Sequence, residues 1–396
     1  MKDKKFNKNI IVFIICSVFI IAGALKPVGV IVYKFIKGEI STGNAVSTVN
    51  DVMNKRMIYQ TQMVELNGLK ENLLGIKVVK KEGAVIVRTE TDSLVSPSGT
   101  EISEEEISEV VDEIDKLRKI SNEGGAEFLY CAVPAKENFY DNVQGMKNCS
   151  KQNYQTFLKC MSEYDIPFID CTKVMEKIDT DDIFYRTDHH WRARTAFNVT
   201  GYICEQLNQK YDFSYNHDYT DISNYNIKTY KNLFLGSKGK KVGALFTDHG
   251  ADDFELITPQ FETDMTESQP FKNEERTGKF EDTVIFKKNL KKDYYNVNTY
   301  VTYSGGNYRL QIMKNNLNKD GKKILLIRDS FACALGPFMS LQTSELHMCD
   351  MRNYEYYVGD KINVKEYIEK IKPDYVLVIY SGIQPLEKAN GKYDFF

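Results

Sequence analysis

Lys322-Lys323-Ile324-Leu325-Leu326-Ile327-Arg328-Asp329-Ser330-Phe331-Ala332 runs from two lysines through four aliphatic residues into an abrupt Asp-Ser, then into small residues. A short apolar run bounded by charge is the pattern of a strand buried on both faces of a sheet. Comparable runs occur at residues 126–133, 346–348 and 375–380, the last just after Pro373. Between them, residues 151–164 and 195–209 carry apolar positions at helical spacing, and residues 167–170 read as a further short strand. This alternation predicts an α/β domain whose parallel sheet carries helices on both faces.

Working outward, residues 101–120 read as a surface helix with acidic residues in its first turns, and residues 101–396 as the main domain. Residues 39–100 are expected to form a stalk and accessory strands, with β-branched runs at Val78-Val79 and Val85-Ile86-Val87. Residues 211–317 are polar and aromatic, with strand-like stretches at 283–286 and 298–303, and are expected to form a long insertion. Residues 1–38 have another character. Lys2, Lys4, Lys5 and Lys8 precede an unbroken apolar run at 10–25, and apolar residues resume at 28–33 beyond Lys26-Pro27. That pattern predicts a signal anchor, a transmembrane helix with its amino end inside and the remaining chain outside the cytoplasm. Ala22-Gly23-Ala24 would equally serve a signal peptidase, which would release the chain as a secreted protein.

A net charge of −3, from 52 basic and 55 acidic residues, gives no electrostatic case for nucleic acid. Twenty-five Tyr and 22 Phe against one Trp suit carbohydrate grooves and ordinary packing alike. The eight cysteines form no CxxC pair and no ligand spacing for zinc. Cys131, Cys171, Cys204 and Cys333 read as small buried hydrophobes.

Two segments carry chemistry. Ser330 falls at the carboxyl end of its strand, the edge where ligands collect in open parallel sheets. There it could attack an acyl carbon while its own N–H holds the oxyanion; Asp329 and Ser330 could instead simply cap the next helix. Tyr185-Arg186-Thr187-Asp188-His189-His190-Trp191 contains the only Trp and two of the five histidines. His190 can serve as the base for a serine and Asp188 as the carboxylate that fixes its tautomer. The other reading of this segment is a helix cap with satisfied histidines, or a metal pair. Adjacent histidines suit one metal poorly, and no cluster completes a site.

Together the two segments resemble the SGNH-hydrolase-like acyltransferases of the alginate O-acetylation type, the AlgX/AlgJ group, and their Gram-positive relatives, the DHHW proteins. Asp188-His189-His190-Trp191 is similar to the name-giving tetrad, and Arg328-Asp329-Ser330-Phe331 to the nucleophile block that elsewhere reads Gly-Asp-Ser. Further similar stretches are residues 133–138, 234–237, 240–243 and Asp350-Met351-Arg352. The Asp/His pair precedes the serine by about 140 residues, the circularly permuted order of these acyltransferases.

The resemblance implies a flavodoxin-like SGNH fold with Ser330, His190 and Asp188 as catalytic triad and no cofactor. It implies an extracytoplasmic enzyme that takes acetyl from a multipass membrane O-acyltransferase and places it on polysaccharide hydroxyls. Arg352, Asn353 and Tyr380-Ser381, at later strand ends, are candidate oxyanion or substrate residues, and Lys136 a candidate glycan or donor contact. Two further readings stay open at this level: an esterase of the same fold, with water as acceptor, and a non-catalytic glycan-binding component of a surface assembly.

Overall fold

The computed structural model describes residues 8–41, 43–56, 59–141 and 143–396. Among the described residues the strands are β1 (Val78–Lys81), β2 (Ala84–Arg88), β3 (Leu94–Val95), β4 (Glu127–Val133), β5 (Phe168–Asp170), β6 (Tyr225–Phe234), β7 (Asp252–Pro259), β8 (Met265–Gln269), β9 (Glu274–Gly278), β10 (Leu310–Asn315), β11 (Lys323–Arg328), β12 (Glu345–Cys349) and β13 (Tyr375–Ser381). The main sheet has the order β5-β4-β13-β11-β12-β10-β8-β9. Its first five strands run parallel, and the last three add antiparallel. The sheet is therefore mixed, where the sequence pattern led to an all-parallel one. Residues 211–317, expected as an insertion, supply β8, β9 and β10 to it and form the β6–β7 ribbon beside it.

The central strands β4, β13 and β11 are buried on both faces because helices cover both. Side chains alternate across the sheet. Leu129, Cys131, Ile324, Leu326, Leu377 and Ile379 pack toward the helices Ala193–Lys210 and Ala332–Leu341. Phe128, Tyr130, Leu325, Ile327, Val376 and Val378 face the helices Glu104–Glu123, Ser150–Glu163 and Val364–Ile371. Helix Glu104–Glu123 begins in a reciprocal cap, Ser103 accepting from the Glu106 N–H while Glu106 accepts from the Ser103 N–H, with three glutamates complementing its amino end. The seven cysteines from Cys131 to Cys349 are buried thiols.

Residues 298–303, strand-like in pattern, contain the 3-10 turn Thr299–Thr302, and residues 283–286 the end of a helical turn, Phe280–Thr283, and a single bridge, Ile285 to Tyr303. Side-chain packing around the nucleophile, shown below, overrides their β propensity. The expected stalk is helical at Ala45–Arg56 and Gln60–Leu73. Lys8–Ile36 is one helix of 29 residues with Pro27 inside. Among the described residues no helix is long and apolar enough to cross a membrane. Lys2, Lys4 and Lys5 lie outside the described residues.

Leu326, fully buried in the centre of β11, tests how far the sheet core carries the fold. Leu326→Ala should cost about 2–5 kcal/mol of unfolding free energy in denaturant titration, and a loss below about 1 kcal/mol would show that the strand is not central to the core.

Candidate active site

Strand β11 ends at Arg328, and the next residues turn sharply. The Asp329 N–H still pairs with the Ile379 carbonyl of β13, and the Phe331 N–H turns back to Asp329 Oδ1 at 3.0 Å. Ser330 is left half-buried at the carboxyl edge, with its hydroxyl 2.8 Å from His190 Nε2. His190 Nδ1 lies 2.5 Å from Asp188 Oδ1, which also accepts the His190 backbone N–H at 2.9 Å. With Nδ1–H given to the carboxylate, Nε2 is left to accept the serine proton. Residues 140 positions apart thus form one hydrogen-bonded Ser–His–Asp chain.

Asp188 is only 3% exposed, and burial by itself would raise its pKa. The imidazoles of His189 and His190, the His190 hydrogen bond and the Ser237 N–H outweigh burial and hold it well below the ordinary carboxylate range. The Ser237 N–H reaches Asp188 Oδ2 at 2.5 Å. That approach requires Gly236, since a Cβ there would lie 2.2 Å from Asp188 Cβ. The loop is fixed from behind by Asp252, whose Oδ2 accepts from the Thr187 N–H at 2.9 Å and hydroxyl at 2.5 Å. Trp191 ties it to the nucleophile turn: its Nε1–H donates to the Phe331 carbonyl at 3.0 Å. The same carbonyl accepts from the Tyr300 hydroxyl at 3.1 Å, and the Tyr300 ring stacks on His190 at 4.0 Å.

Asp188, His189 and His190 also offer ligand atoms within 4.8 Å of one another, the one such group among the described residues. A cation there would have to displace His190 Nδ1–H from Asp188, so the donor set as arranged favours the hydrogen-bonded chain.

Residues 91–225 match the SGNH hydrolase-like domain of the acetyltransferase AlgX. The matched segment includes Asp188 and His190 and stops short of Ser330. In fold the chain is similar to a DHHW family protein from Eubacterium siraeum DSM 15702, at 16% identity over 80% of this chain and 96% of that one, with a TM-score of 0.60. It is similar to PatB1 from Bacillus cereus at 20% identity, over 79% and 99% of the two chains, with a TM-score of 0.62. A search of curated proteins found no match.

Within this SGNH hydrolase-like fold, several residues expected at the substrate take other places. Lys136 is 1% exposed and neither touches a groove nor meets solvent. Its ammonium donates to the carbonyls of Tyr185, Arg186 and Asp188 at 2.8, 2.9 and 3.0 Å, cross-bracing the histidine loop from inside. Tyr380 is also buried, on the helix-covered face of β13, where its hydroxyl donates to the Lys392 carbonyl at 2.6 Å. Ser381 braces the nucleophile turn, its N–H donating to Asp329 Oδ2 at 2.8 Å. Arg352 forks onto Asp350 at 2.9 and 2.5 Å, and Asn353 is exposed on the same loop with its side chain against Gly391. Among the described residues the Ser330 N–H donates to no protein acceptor, so it stands open at the nucleophile.

Residues to which the sequence assigned no role do much of the positioning. Arg328, fully buried where the SGNH block usually has Gly, donates to the Gly306 carbonyl at 3.1 Å and to Asn307, and lies 3.6 Å from Asp350. Lys392, four residues before the last one, reaches Asp329 Oδ2 at 3.0 Å. Burial would raise Asp329, but Lys392, Arg352 and the two backbone N–H donors bring it to about 2. Glu137 and Lys238 pair at 2.8 Å beneath the loop. Gly236-Ser237 lay in a stretch marked by resemblance, whereas Tyr300 and Lys392 carried no sequence signal.

Burial, with Lys238 adding to it, lowers Lys136 from an ordinary 10.5 to about 7, against the pull of Asp252, Glu137 and Asp188. Between those pH values the unfolded chain binds the extra proton, so this group makes stability rise with pH across that window and depresses it below. In unfolding experiments the wild type should therefore gain on Lys136→Met as pH rises from about 7 toward 10.5. A difference between the two that stays flat across that range would contradict a buried, depressed lysine.

Proposed function

We propose that this chain is an extracytoplasmic O-acetyltransferase that acetylates hydroxyls of a surface polysaccharide through an acetyl-Ser330 intermediate. The observation that carries this reading is the chain from Ser330 Oγ through His190 to a buried, ionised Asp188, set on the carboxyl edge of the sheet. The match of residues 91–225 to the SGNH hydrolase-like domain of the acetyltransferase AlgX supports the acetyl group and the transfer.

In the first half-reaction His190 Nε2 takes the Ser330 proton as Oγ bonds to the acetyl carbon, with the Ser330 N–H facing the oxyanion. The donor's oxygen leaves with the proton from His190. In the second, His190 takes a proton from a sugar hydroxyl, whose oxygen attacks the acetyl carbon. The Oγ–carbon bond then breaks, and the proton returns to Ser330. Asp188 stays ionised and steadies the imidazolium in both steps. In this proposal the lysine-flanked apolar run at 10–25 acts as a membrane anchor on the strength of its sequence pattern alone, and the site then works beside a multipass acyltransferase that supplies acetyl from the cytoplasmic side.

PatB1 from Bacillus cereus has a structure with a sulfonyl adduct. A sulfonyl fluoride should accordingly modify this chain at Ser330 and leave Ser330→Ala unmodified. Acetyl transfer to polysaccharide should fall on the order of a thousand-fold or more in Ser330→Ala, His190→Ala and Asp188→Asn, with folding unchanged by circular dichroism. Transfer undiminished in Ser330→Ala would sink the covalent mechanism, and hydrolysis of an acetyl ester unaffected by acceptor would favour an esterase.

A further inference from the structure

The carboxyl edge of the sheet holds a second cleft, of about 400 Å³, over β12, β10 and β8 on the side of Ser330 away from β13. One of its lining residues, Asn307, touches the segment that carries the nucleophile. Asn307 Oδ1 accepts from Arg328 and lies 3.3 Å from the Sγ of Cys333, three residues after Ser330. The loop that carries Asn307 is built for this approach: Ser304 and Gly305 have φ of 62° and 77°, and a Cβ on Gly305 would meet the Phe286 ring at 2.4 Å.

The chemistry of the cleft is one-sided. Phe271 and Tyr356 leave 40% and 62% of their surface exposed at its rim, much for rings that packing alone would bury. Lys272 lies 4.4 Å over the Tyr308 ring, and Lys288 is exposed beside it. Lys288 lies 5.8 Å over the Phe286 ring, the carboxylates of Glu281 and Asp282 go to the neighbouring Lys287, and among the described residues no acidic side chain lines the cleft. Glu267, buried below, is taken up by Arg276 at 3.0 Å and by Gln311 at 2.6 Å. Glu274, outside the lining, also acts on Tyr308, but the lining itself carries Lys272, Lys288 and Arg309 against no carboxylate, a local excess of positive charge in a chain with 55 acidic and 52 basic residues. Exposed ring faces next to ammonium groups complement a ligand with apolar ring faces and negative charge.

We propose that this cleft is the acceptor subsite and that it takes an anionic glycan, a chain of sugar rings bearing carboxylate or phosphate groups. The sugar faces lie on Tyr356 and Phe271, the charges meet Lys272 and Lys288, and a hydroxyl of the next ring is presented to Ser330. The subsite rests on the acyl-transfer reading for its role, though not for its binding.

The test uses the full chain in detergent, as Ser330→Ala to prevent turnover, titrated calorimetrically with three probes of equal length. These are an oligogalacturonate, a phosphorylated gluco-oligosaccharide and a neutral gluco-oligosaccharide. At least one charged probe should bind about ten-fold or more tighter than the neutral one, weakening with salt, and Lys272→Gln with Lys288→Gln should remove that advantage. Whichever charged probe binds identifies the source of the charge. Tyr356→Ala should weaken charged and neutral probes together. In a chain that retains Ser330, the double lysine variant should still be labelled by a sulfonyl fluoride at the wild-type rate, which shows the site intact. Equal binding of charged and neutral probes, or an advantage that survives loss of both lysines, overturns the subsite. If the charged glycan binds but no acetyl ever reaches a sugar, the acyl-transfer reading fails and the subsite stands. If acetyl is transferred while the charged probes gain nothing, the subsite alone fails.

Discussion

Asp188 is a carboxylate removed from water, and most of the architecture around the site answers its need for donors. A buried charge is tolerated only where hydrogen bonds and opposite charge replace hydration. Here those partners come from His190, whose ring and backbone both donate, and from the Ser237 N–H, which glycine at 236 alone can bring so near. The consequence is directional. Once Nδ1–H is committed to Asp188, the far side of the imidazole faces Ser330 as an acceptor, the one partner of the serine hydroxyl among the described residues.

The support extends outward through charges that look expensive when taken singly. Lys136 spends its three donors on carbonyls of the histidine loop, Asp252 takes that loop's N–H groups, and Glu137 pairs with Lys238 beneath it. Across the site, Lys392 and the Ser381 N–H hold Asp329, while Trp191 and Tyr300 share the Phe331 carbonyl. Two loops from distant parts of the chain are thereby locked to each other at one carbonyl and one imidazole. A rigid frame of this kind is what acid–base chemistry at fixed geometry requires.

The central sheet was legible because β11 and β13 and the core of β4 are buried on both faces, which leaves near-continuous apolar runs in the sequence. The antiparallel flank was not. β8 and β9 are polar stretches, MTESQ and EERTG: β8 turns Met265, Glu267 and Gln269 inward, but two of these three are polar, and β9 at the sheet edge is largely exposed, so no hydrophobic alternation marks either. Asp188, His190 and Ser330 stood out through a rare tetrad and a strand-end serine. Lys136 and Tyr380 were misread for one reason: a lysine after a strand and a tyrosine at a strand end suggest solvent, and only the fold shows that other elements cover them. The roles of Tyr300 and Lys392 depend on contacts over 31 and 63 residues, which no local pattern encodes.

The central claim is that acetyl passes through Ser330 to a sugar. Its most direct test is peptide mass spectrometry of Ser330 during rapid mixing with an acetyl donor, with and without acceptor polysaccharide. The account predicts one acetyl on Ser330, lost faster when acceptor is present as the same acetyl appears on the sugar. A Ser330 that stays unmodified during turnover, or an acetyl-Ser330 that decays at one rate regardless of acceptor, would contradict it.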